Sequence, residues 1–262
     1  MRVWVLGTGS SGNALIVESG ATRVWVDAGI GPRAAATRMR ALGSDLFPRG
    51  VDGVVVTHEH GDHCAQLESL GKALSLPKRD AGQPKIFLHE GVTAERVRTR
   101  FEVAPLSLSA PLTIGSVTVE AVDIAHDAPQ VAFRFRAAGA TFGYATDLGS
   151  HSRSLAAFLG ACDTVLLEAN YCPAMLEASP YPASLKRRIA SPTGHLSNEQ
   201  TAELVSDTRY FGRPNVVLCH LSRGNNEPEL ARRVVASARA DVDVSVLAHG
   251  ESRVLDVGRP PG

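Results

Sequence analysis

Short apolar runs rich in Val, Leu, Ile and Trp recur along this chain, and each is closed by glycine, proline, serine or asparagine. RVWVLG, ALIVES and TRVWVDAG, separated by GSSGN and SGA, predict three strands. PRAAATRMRAL, with proline first and Gly43 after it, predicts a helix. GVVVTH then predicts a buried strand, AQLESLGKAL a helix, KIFLHE a strand and TAERVRTRF a helix. LTIGSVTVEAVDI and QVAFRFRAAGATFGYATD predict a β-rich stretch with hairpin turns at IGS and AAGA. The second half continues with a strand at TVLLEAN, a proline-rich crossing, a helix at SNEQTAELV and a strand at NVVLCHLS. A helix at PELARRVVASA and strands at VSVLA and RVLDV end the pattern. Helices between strands in both halves predict an α/β fold: two mixed sheets packed face to face with helices outside, an αββα sandwich, in one domain over residues 1–262.

Composition narrows the setting. The chain has 262 residues, 44% of them hydrophobic, which is enough for a sizeable core. A formal net charge of zero removes any global electrostatic pull toward nucleic acid or membrane, so such partners would have to be held by local groups. No apolar run reaches the roughly 18 residues of a membrane span, and MRVWVLG enters a strand pattern at once, without a leader-like segment. Cys64, Cys162, Cys172 and Cys219 show neither CxxC spacing nor a small-scaffold disulfide pattern, which predicts reduced thiols in a cytoplasmic protein. Cys64 follows the histidine cluster and Cys219 precedes His220, which makes a ligand role conceivable, but neighbours on a strand point to opposite faces, which turns Cys219 away from wherever His220 points.

The chemistry concentrates in THEHGDH, residues 57 to 63. His58 and His60 alternate along one loop, and Asp62 and His63 follow, so one short segment offers ligands for two ions. A closed structural zinc site would use cysteines; this cluster has none, which points to an open, hydrolytic site. The missing ligands are sought among polar residues that end apolar strands: His126 after AVDIA, Asp147 after FGYAT and His220 after NVVLC.

Taken in order, Asp27 in VWVDAG, THEHGDH, His126 in IAHD, Asp147 in YATDLG and His220 in CHLS resemble the metallo-β-lactamase fold superfamily over nearly the whole chain. The resemblance implies one ion on His58, His60 and His126, a second on Asp62, His63 and His220, and Asp147 bridging both. It also implies that Asp27 braces the histidine loop. The two divalent ions would be zinc or manganese, between which His and Asp ligands do not choose. Plainer readings remain for two of these residues, since Asp27 also suits a turn and His126 a strand end.

Substrate must be argued from the site, because the fold hosts many. Glu168 in LLEAN and His195 in TGHLSNEQTAEL resemble the Glu and His that ribonuclease Z-type phosphodiesterases add to the ligand set. In those relatives the histidine faces the scissile phosphate and the glutamate orients it. Ser197 and Gln200 have their own explanation as a capping box, which leaves His195 unexplained by local structure. GTGSSGN, PYPASLKRRI, TGHLSNEQ and CHLSRGNN together resemble the narrower YycJ/WalJ-type family of bacterial cytoplasmic hydrolases, to which 5′-to-3′ DNA exonuclease activity is attributed. Only 21 positions separate His126 from Asp147, which leaves little room for a transfer-RNA-gripping arm like that of ribonuclease Z, and the 48 from Asp147 to His195 are too few for the extra domain of β-CASP nucleases.

The resemblance therefore implies a dinuclear phosphodiesterase in which a hydroxide shared by the ions attacks phosphorus in line. Asp62, His195 and Glu168 are the candidate catalytic residues. Single-stranded or frayed DNA ends are the expected substrate. Candidate substrate contacts are Ser10, Ser11 and Asn13 of the GSSGN loop, Arg187 and Arg188 of the basic run, and Arg223 and Asn226 after His220. The GSSGN loop also reads as a tight turn, and the basic run as a solvated helix face. Two rival functions remain: hydrolysis of a small ester or cyclic phosphodiester, and a non-catalytic metal-binding regulator.

Overall fold

A computed structural model describes residues 1–46, 49–74, 84–92 and 102–258. Its elements in chain order begin with β1 (Arg2–Gly7), β2 (Ala14–Ser19), β3 (Thr22–Val26), α1 (Pro32–Ala41), β4 (Gly53–Val55), α2 (Gly61–Cys64) and α3 (Leu67–Leu74). There follow β5 (Lys85–His89), β6 (Val103–Leu106), β7 (Leu112–Ile114), β8 (Val117–Asp123), β9 (Val131–Ala137) and β10 (Ala140–Ala145). The last part holds α4 (Arg153–Gly160), β11 (Thr164–Glu168), α5 (Pro173–Ala178), α6 (Ala183–Ile189) and α7 (Asn198–Ser206). It ends with β12 (Asn215–Cys219), α8 (Pro228–Ala238), β13 (Val244–Val246) and β14 (Arg253–Asp256).

These strands form two mixed seven-stranded sheets, ordered β14-β1-β2-β3-β4-β5-β6 and β13-β12-β11-β10-β9-β8-β7. β14 through β3 run antiparallel, and β3 through β6 parallel. In the other sheet, β10 through β13 are parallel and β7 pairs antiparallel with β8. Parallel strands are buried on both faces, which is why TVLLE and NVVLC read as continuous apolar runs and not as alternating ones.

The chain divides into two compact units, one of Met1–Ala121, Phe135–Gly139 and Gly250–Gly262, the other of Val122–Arg134 and Ala140–His249. In the first, Trp4, Ile16, Trp25, Val54 and Ile86 pack with Met39 of α1 and Leu67 and Leu70 of α3. In the second, Val165, Leu167 and Leu218 pack with Leu155 and Leu159 of α4, Leu204 of α7 and Val235 of α8.

Several elements differ from the sequence reading, helices α4, α5 and α6 among them. The proline-rich crossing is not irregular but holds α5 and α6, because Pro173 opens α5 and Pro182 caps α6. Proline cannot donate at a helix start, where no donor is needed, so it begins helices as well as ending them. SRSLAAFLG, unassigned by pattern, is α4, capped by the Ser152 hydroxyl accepting from Leu155 N. The helix expected over TAERVRTRF lies outside the described residues. Both hairpin turns stand where IGS and AAGA place them, with Gly115 at φ 56° and with Ala138 and Gly139 at 51° and 76°. No helix among the described residues is long and apolar enough to cross a membrane.

The capping box is formed as the sequence predicts: Ser197 Oγ accepts from Gln200 N at 3.2 Å and Gln200 Oε1 from Ser197 N at 2.9 Å. Ser197→Ala should lower stability by about 1 kcal/mol in urea denaturation. A change indistinguishable from zero would show that α7 is held by packing alone.

Candidate metal centre

In the first unit, polar residues gather where apolar strands stop. Asp27 follows β3 and leaves it at φ 55°, while Thr57 and His58 follow the apolar end of β4. Asp27 is completely buried. Its Oδ1 accepts from Thr57 N at 2.8 Å and from the Thr57 hydroxyl at 2.9 Å, and its Oδ2 lies 2.8 Å from His63 Nδ1. Thr57 Oγ1 is also 3.1 Å from His58 Nδ1. A hydroxyl has one proton, and here it goes to the carboxylate, so the oxygen receives the imidazole N–H. That assigns the proton to Nδ1 on both rings and leaves Nε2 of each as the candidate ligand atom. Asn13 agrees with this assignment, since its Nδ2 donor stands 2.8 Å from His63 Nε2. The ring centroids of His58 lie 4.6 Å from His60 and 4.2 Å from His63.

Backbone contacts lock this group. Asn13 N donates to Asp62 O at 2.7 Å, Ala28 N to His63 O at 2.5 Å and Gln66 N to Ala28 O at 2.8 Å. Gly29 lies against α2 so closely that a Cβ there would fall 1.7 Å from Asp62 O. No residue with a side chain fits.

In the second unit, the parallel strands β10, β11 and β12 end side by side. Their ends deliver Asp147, Glu168 and His220, with Asp147 and His220 again at φ 55°. Glu168 is completely buried, and its oxygens accept from Leu148 N at 3.0 Å and Leu196 N at 3.2 Å. His195 Nδ1 lies 3.0 Å from Glu168 Oε1 and 3.7 Å from Asp147 Oδ1, and His220 Nε2 lies 3.5 Å from Asp147 Oδ1. Asn170 Nδ2 donates to the His220 carbonyl at 2.9 Å. One ligand atom from each of Asp147, Glu168, His195 and His220 falls within 4.8 Å of the others. The His126 ring stands 6.0 Å from that of His195, with Nε2 3.2 Å from Asp127 Oδ1. His195, the most open of the four at 23% side-chain exposure, is seated by two glycines. A Cβ on Gly149 would fall 2.3 Å from Pro192 O, and one on Gly194 2.2 Å from Arg188 O.

Both sets consist of imidazoles and carboxylates, which fits divalent ions in an open site. No cysteine belongs to either set among the described residues. Burial, then the charges of Asp27, Glu59 and Asp62, push the Cys64 thiol up to about 11, and burial likewise raises Cys219.

The other predicted contacts divide. Ser10 and Ser11 are exposed in a turn closed by Gly12 N donating to Gly9 O at 2.9 Å, whereas Asn13 is buried. Asn226 is also buried, donating to Ala169 O at 2.9 Å and exchanging hydrogen bonds with Asn198, so its amide serves the fold. Arg187 and Arg223 are exposed, and Arg188 pairs with Asp127 at 2.8 Å. His151 pairs with Glu203 at 3.4 Å, and His249 is largely exposed, its pKa lowered by partial desolvation of the ring and by the Arg223 charge. Thr57, Asn170, Gly29 and Gly149 were not singled out by sequence. Thr57 opens THEHGDH, and only the tertiary contacts give it a role.

A family model described as the beta-lactamase superfamily domain matches residues 22–221. The chain belongs to that superfamily. Within it, the chain is 30% identical over 248 residues to the exodeoxyribonuclease WalJ of Streptococcus pneumoniae, covering 92% of this chain and 89% of that one. It is 30% identical over 233 residues to the exodeoxyribonuclease YycJ of Bacillus anthracis, covering 88% and 86%. The metallo-β-lactamase fold protein YhfI of Bacillus subtilis superposes with a TM-score of 0.75 at 19% identity, over 97% of this chain and 99% of YhfI. Zinc-bound PqqB of Methylobacterium extorquens superposes with a TM-score of 0.71 at 16% identity, over 98% of this chain and all of PqqB. The αββα architecture expected from sequence is therefore that of its superfamily, and the chain is a metal-dependent hydrolase.

Gly149→Ala should push the 192–195 segment outward and destabilise the protein by about 1–3 kcal/mol, the usual cost of overpacking. Urea denaturation reads the loss, and wild-type stability would mean that this segment yields freely.

Proposed function

We propose that this protein is a cytoplasmic, dinuclear metal-dependent phosphodiesterase that degrades DNA from single-stranded or frayed ends in the 5′-to-3′ direction. In this reading the two units act as one catalytic domain. His58, His60 and His126 would hold one zinc or manganese ion, Asp62, His63 and His220 would hold the other, and Asp147 would serve both. Asp27 and Thr57 orient His63 and His58. The observation that carries the reading is the Glu168–His195 pair at 3.0 Å beside Asp147 and His220, which puts a proton-handling group next to the proposed ligands. The exodeoxyribonucleases WalJ and YycJ, each 30% identical to this chain, support a metallo-hydrolase nuclease acting on nucleic acid.

Ions bound there would polarise the phosphoryl oxygens and supply a nucleophile at neutral pH. The chain supplies the rest. Glu168 receives Nδ1–H of His195, stabilises the imidazolium and turns Nε2 toward the leaving oxygen, to which His195 gives its proton. Arg187 and Arg223 neutralise flanking phosphates. Hydrolysis of a small ester or cyclic phosphodiester is the second reading, favoured by the zero net charge and by the pairing of Arg188 with Asp127.

Three measurements decide among these. Asp147→Ala should lose metal by elemental analysis and lose hydrolysis while remaining folded; two retained ions with full activity would remove the bridging role. His195→Ala should keep its metal and lose about 10²–10⁴-fold on DNA, but less on an activated aryl phosphodiester, whose leaving group needs no proton. Equal losses on both substrates would remove the acid role. Reversing Arg187 and Arg188 to glutamate should slow DNA digestion by about an order of magnitude and hardly affect the aryl diester. A wild-type protein that leaves end-labelled DNA intact with either metal would favour the small-substrate hydrolase.

A further inference from the structure

Tyr181 and Tyr210 are the exposed large hydrophobic residues of the described structure, at 36% and 38%. Their surroundings differ. Tyr210 is flanked by Arg153 and Arg209, whose guanidinium carbons lie 5.8 and 5.6 Å from its ring centroid. No guanidinium or aromatic ring covers Tyr181 among the described residues. It stands in Ser-Pro-Tyr-Pro, between Pro180 and the Pro182 that caps α6, so the backbone on both sides is restricted. Its hydroxyl reaches within 3.6 Å of where a Cβ on Gly224 would sit, in the loop that follows His220.

α6 joins this tyrosine to the catalytic residues of the same unit. The helix has seven residues and none of them is buried. Its far end carries the histidine loop, with His195 N donating to Ile189 O at 2.9 Å. Tyr181 is thus one short helix, about 10 Å, from the segment that seats His195. Along that helix, Lys186 donates to the Glu177 carbonyl and Arg188 pairs with Asp127, while Arg187 makes no ion pair with any described residue. Arg223, exposed beside Gly224, adds a second open cation.

An exposed tyrosine between two prolines, with the open Arg187 on the helix that follows it and the open Arg223 next to the glycine its hydroxyl approaches, matches a single nucleic-acid strand, whose bases offer π-faces and whose backbone offers anions. We infer that Tyr181 is a base-stacking residue that holds an unpaired nucleobase of the DNA end while Arg187 and Arg223 hold its flanking phosphates. The inference rests on the nuclease reading and names how that site selects single strands. A stacked pair in a duplex shields its faces, so Tyr181 favours frayed or overhanging ends over blunt ones.

The test uses the metal-loaded full chain on oligonucleotides with a single-stranded overhang. Tyr181→Ala should raise KM for the overhang by about tenfold or more, with a much smaller change in kcat. Tyr181→Trp should restore KM, which a role confined to folding would not allow. A phosphorothioate oligonucleotide with 2-aminopurine at its end should lose fluorescence on binding wild type and the Trp variant, but not the Ala variant. If wild type digests the overhang and Tyr181→Ala matches it in KM and in quenching, the stacking role is overturned and the nuclease reading stands. If wild type digests no DNA with zinc or manganese, the nuclease reading falls and this inference with it.

Discussion

Two carboxylates, Asp27 and Glu168, are taken wholly out of water, one in each unit. Burying a charge is costly unless hydrogen bonds replace its hydration, and each of these acids organises its surroundings to that end. Asp27 draws in the backbone and hydroxyl of Thr57 and the ring of His63. Glu168 draws in the backbone of Leu148 and Leu196 and the ring of His195. The bonds that satisfy the charge also fix the imidazoles. Tautomer and ring direction at His58, His63 and His195 follow from that requirement.

The backbone has a matching constraint. Asp27, Asp147 and His220 each adopt φ 55° at the end of an apolar strand, in a region that disfavours residues with a side chain. Such a conformation costs about 1–3 kcal/mol and persists where surrounding structure holds it. Here it turns a chain leaving a buried strand so that a polar side chain stays at the strand end instead of running out into solvent. Gly29, Gly149 and Gly194 do the complementary work, letting other segments approach where a Cβ would collide with backbone. Strand ends aim the candidate ligands, and glycines bring in what braces them.

Charge sets the limits of the nucleic-acid reading. A chain of zero net charge relies on local cations, and tertiary pairing thins them: Arg188 is held by Asp127 and Arg209 by Asp207. Arg187, on α6 after Tyr181, and Arg223, beside Gly224, stay open. A substrate gripped by few cations gains from stacking, which is less weakened by salt than phosphate contacts are.

Much of this molecule was legible before any coordinates. Period and turn chemistry located most strands and the capping box at Ser197, because these depend on neighbours in sequence. THEHGDH announced metal chemistry because ligand density is itself local, and the order of Asp27, His126, Asp147 and His220 pointed to the superfamily. Other features depend on residues far apart in the chain. Thr57 could not be distinguished from any threonine until Asp27 came within 2.9 Å of its hydroxyl. Asn226 looked as open to substrate as Arg223 until Asn198 met it across 28 positions. Arg187 and Arg188 were equivalent until Asp127 took one of them. Sequence determines which chemical groups exist and the local shapes they prefer. Only the fold decides which of them are desolvated together, and burial without water is what turns a hydrogen-bonding preference into a fixed role.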